Sequence, residues 1–341
     1  MSAAVTVFGE ADGLPVHEVR LKSPGGAEAS IISWGAVVRD LRVPAKAGLQ
    51  RVVLGLETFE DYKAHSSYFG AIAGRYANRI SHGRFTLDGQ AHQVDLNQAG
   101  KHTLHGGSKG FGKRVWRLAD CDESSATLML HSADGDMGFP GAMTVTCVYR
   151  LTGAATLRVE LTATADAPTI VNLAHHSYFN LDGSPDVLDH EMQIAAAHYT
   201  PVDADLITTG EILAVAGTPY DFRTPRPIRF PGGEGPFAYD HNWVLAGAHL
   251  APGQLRHALS LRSHKSGVAM EVHTTEPGIQ VYTGSKLNVP VPGLGGARYG
   301  AFGGAAIEPQ VFPDSPNKAH FPDPTLRPGE VYRQMSEYRF G

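Results

Sequence analysis

Cysteine is almost missing from this chain: the 341 residues include only Cys121 and Cys147. Two thiols cannot build a disulfide framework, and they lack the paired spacing of a zinc site, so both read as buried thiols in a reducing compartment. Nowhere do about 18 apolar residues follow one another, which excludes a membrane-spanning helix. Residues 1–13 have neither a basic segment nor an apolar run of signal-peptide length, so the expected location is the cytoplasm. Charge of one sign never gathers into a run, and the totals are close, 34 acidic against 29 basic. This leaves no footprint for nucleic acid or anionic lipid and points to a small, uncharged partner. Helical periodicity is scarce too, with about two turns over 56–64 and about one over 314–318. No βαβ alternation and no internal repeat of fixed period occurs.

Turn formers and strand formers fill that space. The 39 glycines and 22 prolines exceed the background of roughly 12% for the two together, which implies many turns between short elements. Alternating segments rich in β-branched residues recur at 29–34, 144–151, 156–163, 278–282 and 330–340. Asp88-Gly89, between 84–87 and 90–94, accepts the positive φ of a type I′ turn and predicts a tight hairpin. The expectation is an all-β fold, a large antiparallel β-sandwich with few short helices. The Pro- and Gly-rich stretches 219–236 and 288–304 read as surface loops, so one domain over 1–341 is the simpler organisation.

Some polar residues sit badly for a pure core. Of the 17 histidines, copies such as His17, His92, His249 and His257 stand in polar or irregular surroundings and read as surface groups. The stretch TIVNLAHHSYFNL, 169–181, carries Asn172, His175, His176 and Asn180 in an apolar frame, where buried polar groups need partners. In an extended strand His175 and His176 face opposite ways and cannot chelate one metal ion between them; either could meet a carbonyl or a pocket. Glu308 and Gln310 share a face of the apolar segment GGAAIEPQVFPD, 303–314, and a poised carboxylate there is a candidate general base. His105 precedes Gly106 and Gly107, where the missing side chains allow close approach of a ligand or of another backbone. Asn78, Arg79, Asp240, His241 and Glu276 are each, taken singly, no more than surface or capping groups.

Taken together and in order, GRYANRI (74–80), LHGG (104–107), HHSYFNL (175–181), DHNW (240–243), TTEPGIQVYTG (274–284) and AAIEPQVFPDSPN (305–317) make the chain resemble the aldose 1-epimerase, or galactose mutarotase, family. The resemblance implies a single large antiparallel β-sandwich with an open sugar cleft and no cofactor; the expected partner is an aldose such as galactose or glucose, no Cys or His set shows metal-ligand spacing, and the chain is expected as a monomer or homodimer. It makes Glu308 the general base, His176 the general acid and His105 a second imidazole beside the ring oxygen. It also puts Asn78, Arg79 and Asp240 on sugar hydroxyls, with Glu276 where some members carry glutamine. Ring opening of a hemiacetal needs a base at the C1 hydroxyl and an acid at the ring oxygen, and closure reverses the two transfers. Free glutamate titrates near 4.3 and free histidine near 6.5, so between those values both would start in the required state. Two other classes keep the same residues: a non-catalytic sugar-binding domain, and a glycosidase that pairs Glu308 with Glu276 or Asp240.

Overall fold

Alternation of apolar and polar residues is carried through strand by strand in the structure, a computed structural model that describes residues 4–230, 235–247, 251 and 253–341. Residues 1–3 of the N-terminal segment, 231–234 of the first Pro-rich stretch, and His249 lie outside the described residues. Strand makes up 46% of the chain, in antiparallel sheets. The expected segments appear as strands Glu28–Ile32, Met143–Thr152, Thr156–Ala165, Gly278–Tyr282 and Tyr332–Phe340. The hairpin joins Arg84–Leu87 to Gln90–Gln93. Its turn has φ +49° at Asp88 and +80° at Gly89, the double positive φ of type I′.

Among the described residues the one α-helix is Phe59–His65, capped by Thr58, whose hydroxyl accepts from the Asp61 N–H. The turn expected near 314–318 is a single 3-10 turn, Ser315–Asn317. No helix of the described residues is long and apolar enough to cross a membrane.

Three sheets carry the architecture. Nine strands run from Arg117–Cys121 at one edge through Met143–Thr152 and Tyr332–Phe340 to Arg226–Pro227 at the other. Six strands follow the spatial order Tyr178–Phe179, Ala305–Gln310, Gly278–Tyr282, Asp240–Val244, His198–Thr200 and Leu213–Ala214. The five N-terminal strands, Ala4–Ala11 to Gly48–Arg51, form a meander. The main core joins the nine-stranded and six-stranded sheets: Val145, Cys147, Tyr149, Leu161 and Val272 from one share a buried cluster with Trp243, Ile279, Val281 and Ile307 from the other. Burial of such side chains contributes roughly 1.5–3 kcal/mol each. Because side chains alternate along a strand, committing Ile279, Val281 and Ile307 to the core turns Gln280 and Glu308 to the opposite face of the six-stranded sheet.

Candidate active site

The polar face of the six-stranded sheet forms the floor of a cleft of about 370 Å³, whose lining includes Tyr68, Asn78, Arg79, His105, His176, Asp240, Tyr282 and Glu308. Register brings the groups together: Gln280 pairs with both Asn242 and Glu308, and Asp240 pairs with Tyr282. His176 arrives on a separate short strand, Ala174–His176, that pairs with Ala71–Ala73. The two neighbouring histidines part company there. His175 enters the core between Tyr149 and Tyr338 and is hydrogen-bonded to Ser177 at 2.8 Å, whereas His176 faces the cleft. A larger depression, about 730 Å³, lies over the N-terminal sheet. Its guanidinium groups are occupied by acids, Arg39 by Glu18 at 2.9 Å and Arg42 and Arg51 by Asp40 at 2.8 Å, and the imidazoles lie elsewhere.

His105 owes its place to left-handed backbone. It has φ +50° and is followed by Gly106 at +82° and Gly107 at +100°, a curl that residues with a Cβ rarely adopt. A Cβ on Gly106 would lie 1.9 Å from the carbonyl oxygen of Gly74, so what this glycine admits is another backbone. The curl lets the Asn78 N–H donate to Nδ1 of His105 at 3.1 Å, while the His105 N–H donates to the Asn78 carbonyl at 2.9 Å. A backbone N–H can only donate, so Nδ1 is the acceptor and the neutral ring holds its proton on Nε2.

His176 Nε2 lies 3.5 Å from Glu308 Oε1, and the His105 and His176 rings meet edge-on with centroids 5.1 Å apart. Tyr68 covers both imidazoles, at 4.6 Å from His105 and 5.9 Å from His176. At the rim, Arg79 donates to Gln98 at 2.9 Å and reaches Asp240 at 3.5 Å, and Gln280 donates to the other oxygen of Asp240 at 2.6 Å. His176 Nδ1 and Glu308 Oε2 are buried without a protein partner. Such atoms are costly to leave unpaired and suit an occupant rich in hydroxyl groups.

Burial governs the proton positions. It pushes the Glu308 carboxyl well above the usual carboxylate range; Asp240 adds to this and Arg79 opposes it. It lowers His176 to about 4, against the pull of Asp240. His105 falls well below the ordinary imidazole value through burial, helped by His176, Arg79 and Lys113. Burial thus favours the neutral form of each group, carboxylic acid and imidazole, over the ion pair. This differs from the ionised start that solution values suggest, because those values assume water around each charge.

His105, His176 and Glu308 could each offer one atom to a metal ion, all within 4.8 Å of one another. The fit fails at His105, whose Nδ1 is held by Asn78 and whose Nε2 carries the ring proton that a metal would have to displace.

Six of the seven residues that the resemblance assigned to the site line this cleft. Glu276 does not: it lies in the turn after the strand Ala269–Thr274, buried beside Thr275, with Arg256 and Tyr332 as electrostatic neighbours. The side chain that touches Asp240 is instead Gln280, in the same motif. Tyr68, Lys113, Tyr282 and Lys286 also line the cleft and carry no signal in the sequence except Tyr282, which shares the parity of Gln280 along its strand.

Burial pushes the Glu276 carboxyl up to about 7, against the Thr275 hydrogen bond and Arg256. A carboxyl raised in the folded state favours folding most while both states hold the proton, below about 4.5, and that contribution is lost as pH climbs toward 7. Glu276→Gln is therefore expected to stabilise the protein at about pH 8 by a few kcal/mol, given about 1.4 kcal/mol per pKa unit, and to change little at about pH 4. Denaturant melts at the two pH values check this; an equal effect at both would refute it.

The comparisons with known proteins agree with the geometry. The aldose 1-epimerase family model matches residues 17–339. Galactose mutarotase from Bos taurus is 41% identical over 319 residues, covering 91% of this chain and 90% of its own. Aldose 1-epimerase from Haemophilus influenzae is 36% identical over 344 residues, covering 98% of each chain. The crystal structure of an aldose epimerase homologue from C. elegans superposes with a TM-score of 0.90 at 31% identity, covering 96% of this chain and 99% of that one. With the likeness running nearly end to end and the sheets arranged alike, this chain belongs to the aldose 1-epimerase family.

Proposed function

We propose that the protein interconverts the α and β anomers of a free aldohexose, with Glu308 and His176 exchanging protons with the sugar and with no cofactor. The observation that carries this reading is the buried pair itself, a carboxyl and an imidazole 3.5 Å apart with one unpartnered atom on each. Ring opening moves the C1 hydroxyl proton to the Glu308 carboxylate, and the O–H electron pair becomes the new C=O bond. The C1–O5 bond breaks, and O5 takes the proton of the His176 imidazolium. The pair thus ends as carboxylic acid and neutral imidazole, the state that burial favours. Dry surroundings push the reaction toward the open-chain aldehyde, and the polar groups of the bound sugar must sustain the charged pair at the start.

After rotation about C1–C2 by about half a turn, the other carbonyl face meets the same two groups and closure reverses both transfers. His105 presents its Nε2–H toward the ring oxygen, Arg79 and Asp240 hold sugar hydroxyls, and Asn78 Oδ1 orients Arg79 by accepting from its backbone N–H at 2.9 Å and from its guanidinium at 3.4 Å. One chain supplies every group, and the free thiols Cys121 and Cys147 suit a reducing cytoplasm.

Polarimetry of freshly dissolved α-galactose and α-glucose, with and without protein, tests the reading. Faster decay of optical rotation is expected; sugar binding without acceleration would make the protein a sugar-binding domain instead. Exhaustive chelation is expected to leave the rate unchanged in the same assay, and a loss restored by one divalent ion would contradict the metal-free mechanism.

A further inference from the structure

Asp314 is fully buried and has a left-handed backbone, φ +56°, although it is not glycine; aspartate is among the residues that tolerate this region. Its carboxylate accepts three hydrogen bonds: from the Ser81 N–H at 2.9 Å, from Asn317 Nδ2 at 2.6 Å and from Lys318 Nζ at 3.1 Å. Its own N–H donates to the Arg79 carbonyl at 3.0 Å. The backbone is thus gripped at Arg79 and again at Ser81, by a residue that follows Glu308 on the same stretch of chain.

We infer that Asp314 is a positioning residue for sugar binding: it holds the segment bearing Asn78 and Arg79 at a fixed distance from Glu308. The segment has a second support at its other end, where Asn172 Nδ2 donates to the Ala77 carbonyl at 3.1 Å and Asn172 Oδ1 accepts from the Val311 N–H at 3.0 Å. Glu308 and His176 stand on strands with pairing partners of their own, Gly278–Tyr282 and Ala71–Ala73. Loosening Asp314 frees the backbone at Arg79 and Ser81 and displaces the Arg79 guanidinium, whereas the Asn172 support at Ala77 keeps Asn78 and its partner His105 in place, and the proton-transfer pair stays on its own strands. The signature is a rise in KM with kcat preserved. This rests on the proposed assignment of Arg79 to sugar hydroxyls.

The experiment measures KM and kcat by polarimetry, and galactose Kd by calorimetry, for wild type, Asp314→Ala and Asp314→Asn. Glu337→Gln, which weakens ion pairs to Arg158 and Arg339 on the nine-stranded sheet, serves as a control for general destabilisation. Asp314→Ala is expected to raise KM and Kd about tenfold or more, the range of a lost hydrogen bond to a charged group, with kcat and both pH limbs unchanged. Asp314→Asn keeps an oxygen for the Ser81 N–H and is expected to restore both constants to within about threefold. Glu337→Gln is expected to lower Tm without moving KM. If Asp314→Ala does not fold, Asn317→Ala removes one donor that orients the same carboxylate and is expected to raise KM with kcat unchanged. Unchanged KM in the folded variants, or equal losses in kcat and KM, overturns the inference. Wild-type protein that binds galactose without accelerating mutarotation refutes the proposed function instead, and Kd still reads the role of Asp314.

Discussion

Glu308→Gln is expected to leave a folded protein that binds galactose and opens its ring about 10²- to 10⁴-fold more slowly, the usual contribution of one placed proton-transfer group. The amide keeps the volume and much of the hydrogen-bonding face of the carboxyl, so Arg79 and Asp240, the groups proposed to hold sugar hydroxyls, keep their places. What is lost is the acceptor for the C1 proton. The folded state should gain, because a carboxyl that burial holds well above its ordinary range is exchanged for a group that never ionises. A variant that keeps more than about a tenth of wild-type kcat would remove Glu308 from the role of base.

The second large effect concerns the imidazoles and pH. With His176 lowered to about 4 and Glu308 raised, the pair holds a single proton over a wide interval. The plot of kcat/KM is expected to show a broad plateau, with an acid limb near 4, where the pair takes a second proton, and an alkaline limb well above the carboxylate range. The limbs belong to the pair, not to either residue. His176→Gln should remove the acid limb along with about 10²- to 10⁴-fold of the rate. His105→Gln should lower the rate and keep both limbs, since Nδ1 of that ring is already engaged by Asn78. If instead His105→Gln erases the acid limb and His176→Gln keeps it, the two imidazoles have exchanged roles.

Local patterns in the sequence carried the strands, the Asp88-Gly89 hairpin and the opposite facing of His175 and His176, because alternation and turn chemistry involve only neighbouring residues. Glu308, His176, His105, Asn78, Arg79 and Asp240 were found through ordered motifs rather than through spacing. Glu276 and Gln280 show where that reading stops. Both lie in TTEPGIQVYTG, and only the cross-strand register, Gln280 opposite Glu308 and Asn242, decides which one reaches Asp240. Register of this kind is set by strands distant in sequence. Tyr68 and Asp314 were invisible for a related reason: each acts through contacts with residues far along the chain. The shift of both groups toward their neutral forms is not legible in solution pKa values, because desolvation is a property of the assembled cleft.

The burial of His105, His176 and Glu308, each less than a tenth exposed, also bears on the fate of the aldehyde. An aldose opened in bulk solvent is a free carbonyl, and water can add to C1 to give a geminal diol; collapse of that hydrate replaces the original oxygen by one from the solvent. On the proposed roles of Glu308 and His176, a carbonyl held between the buried carboxyl and imidazole would meet its own C5 hydroxyl far more often than a water molecule. The oxygen on C1 would then persist through many more ring openings on the protein than off it, so that the anomeric centre inverts while the atom that defines it is conserved.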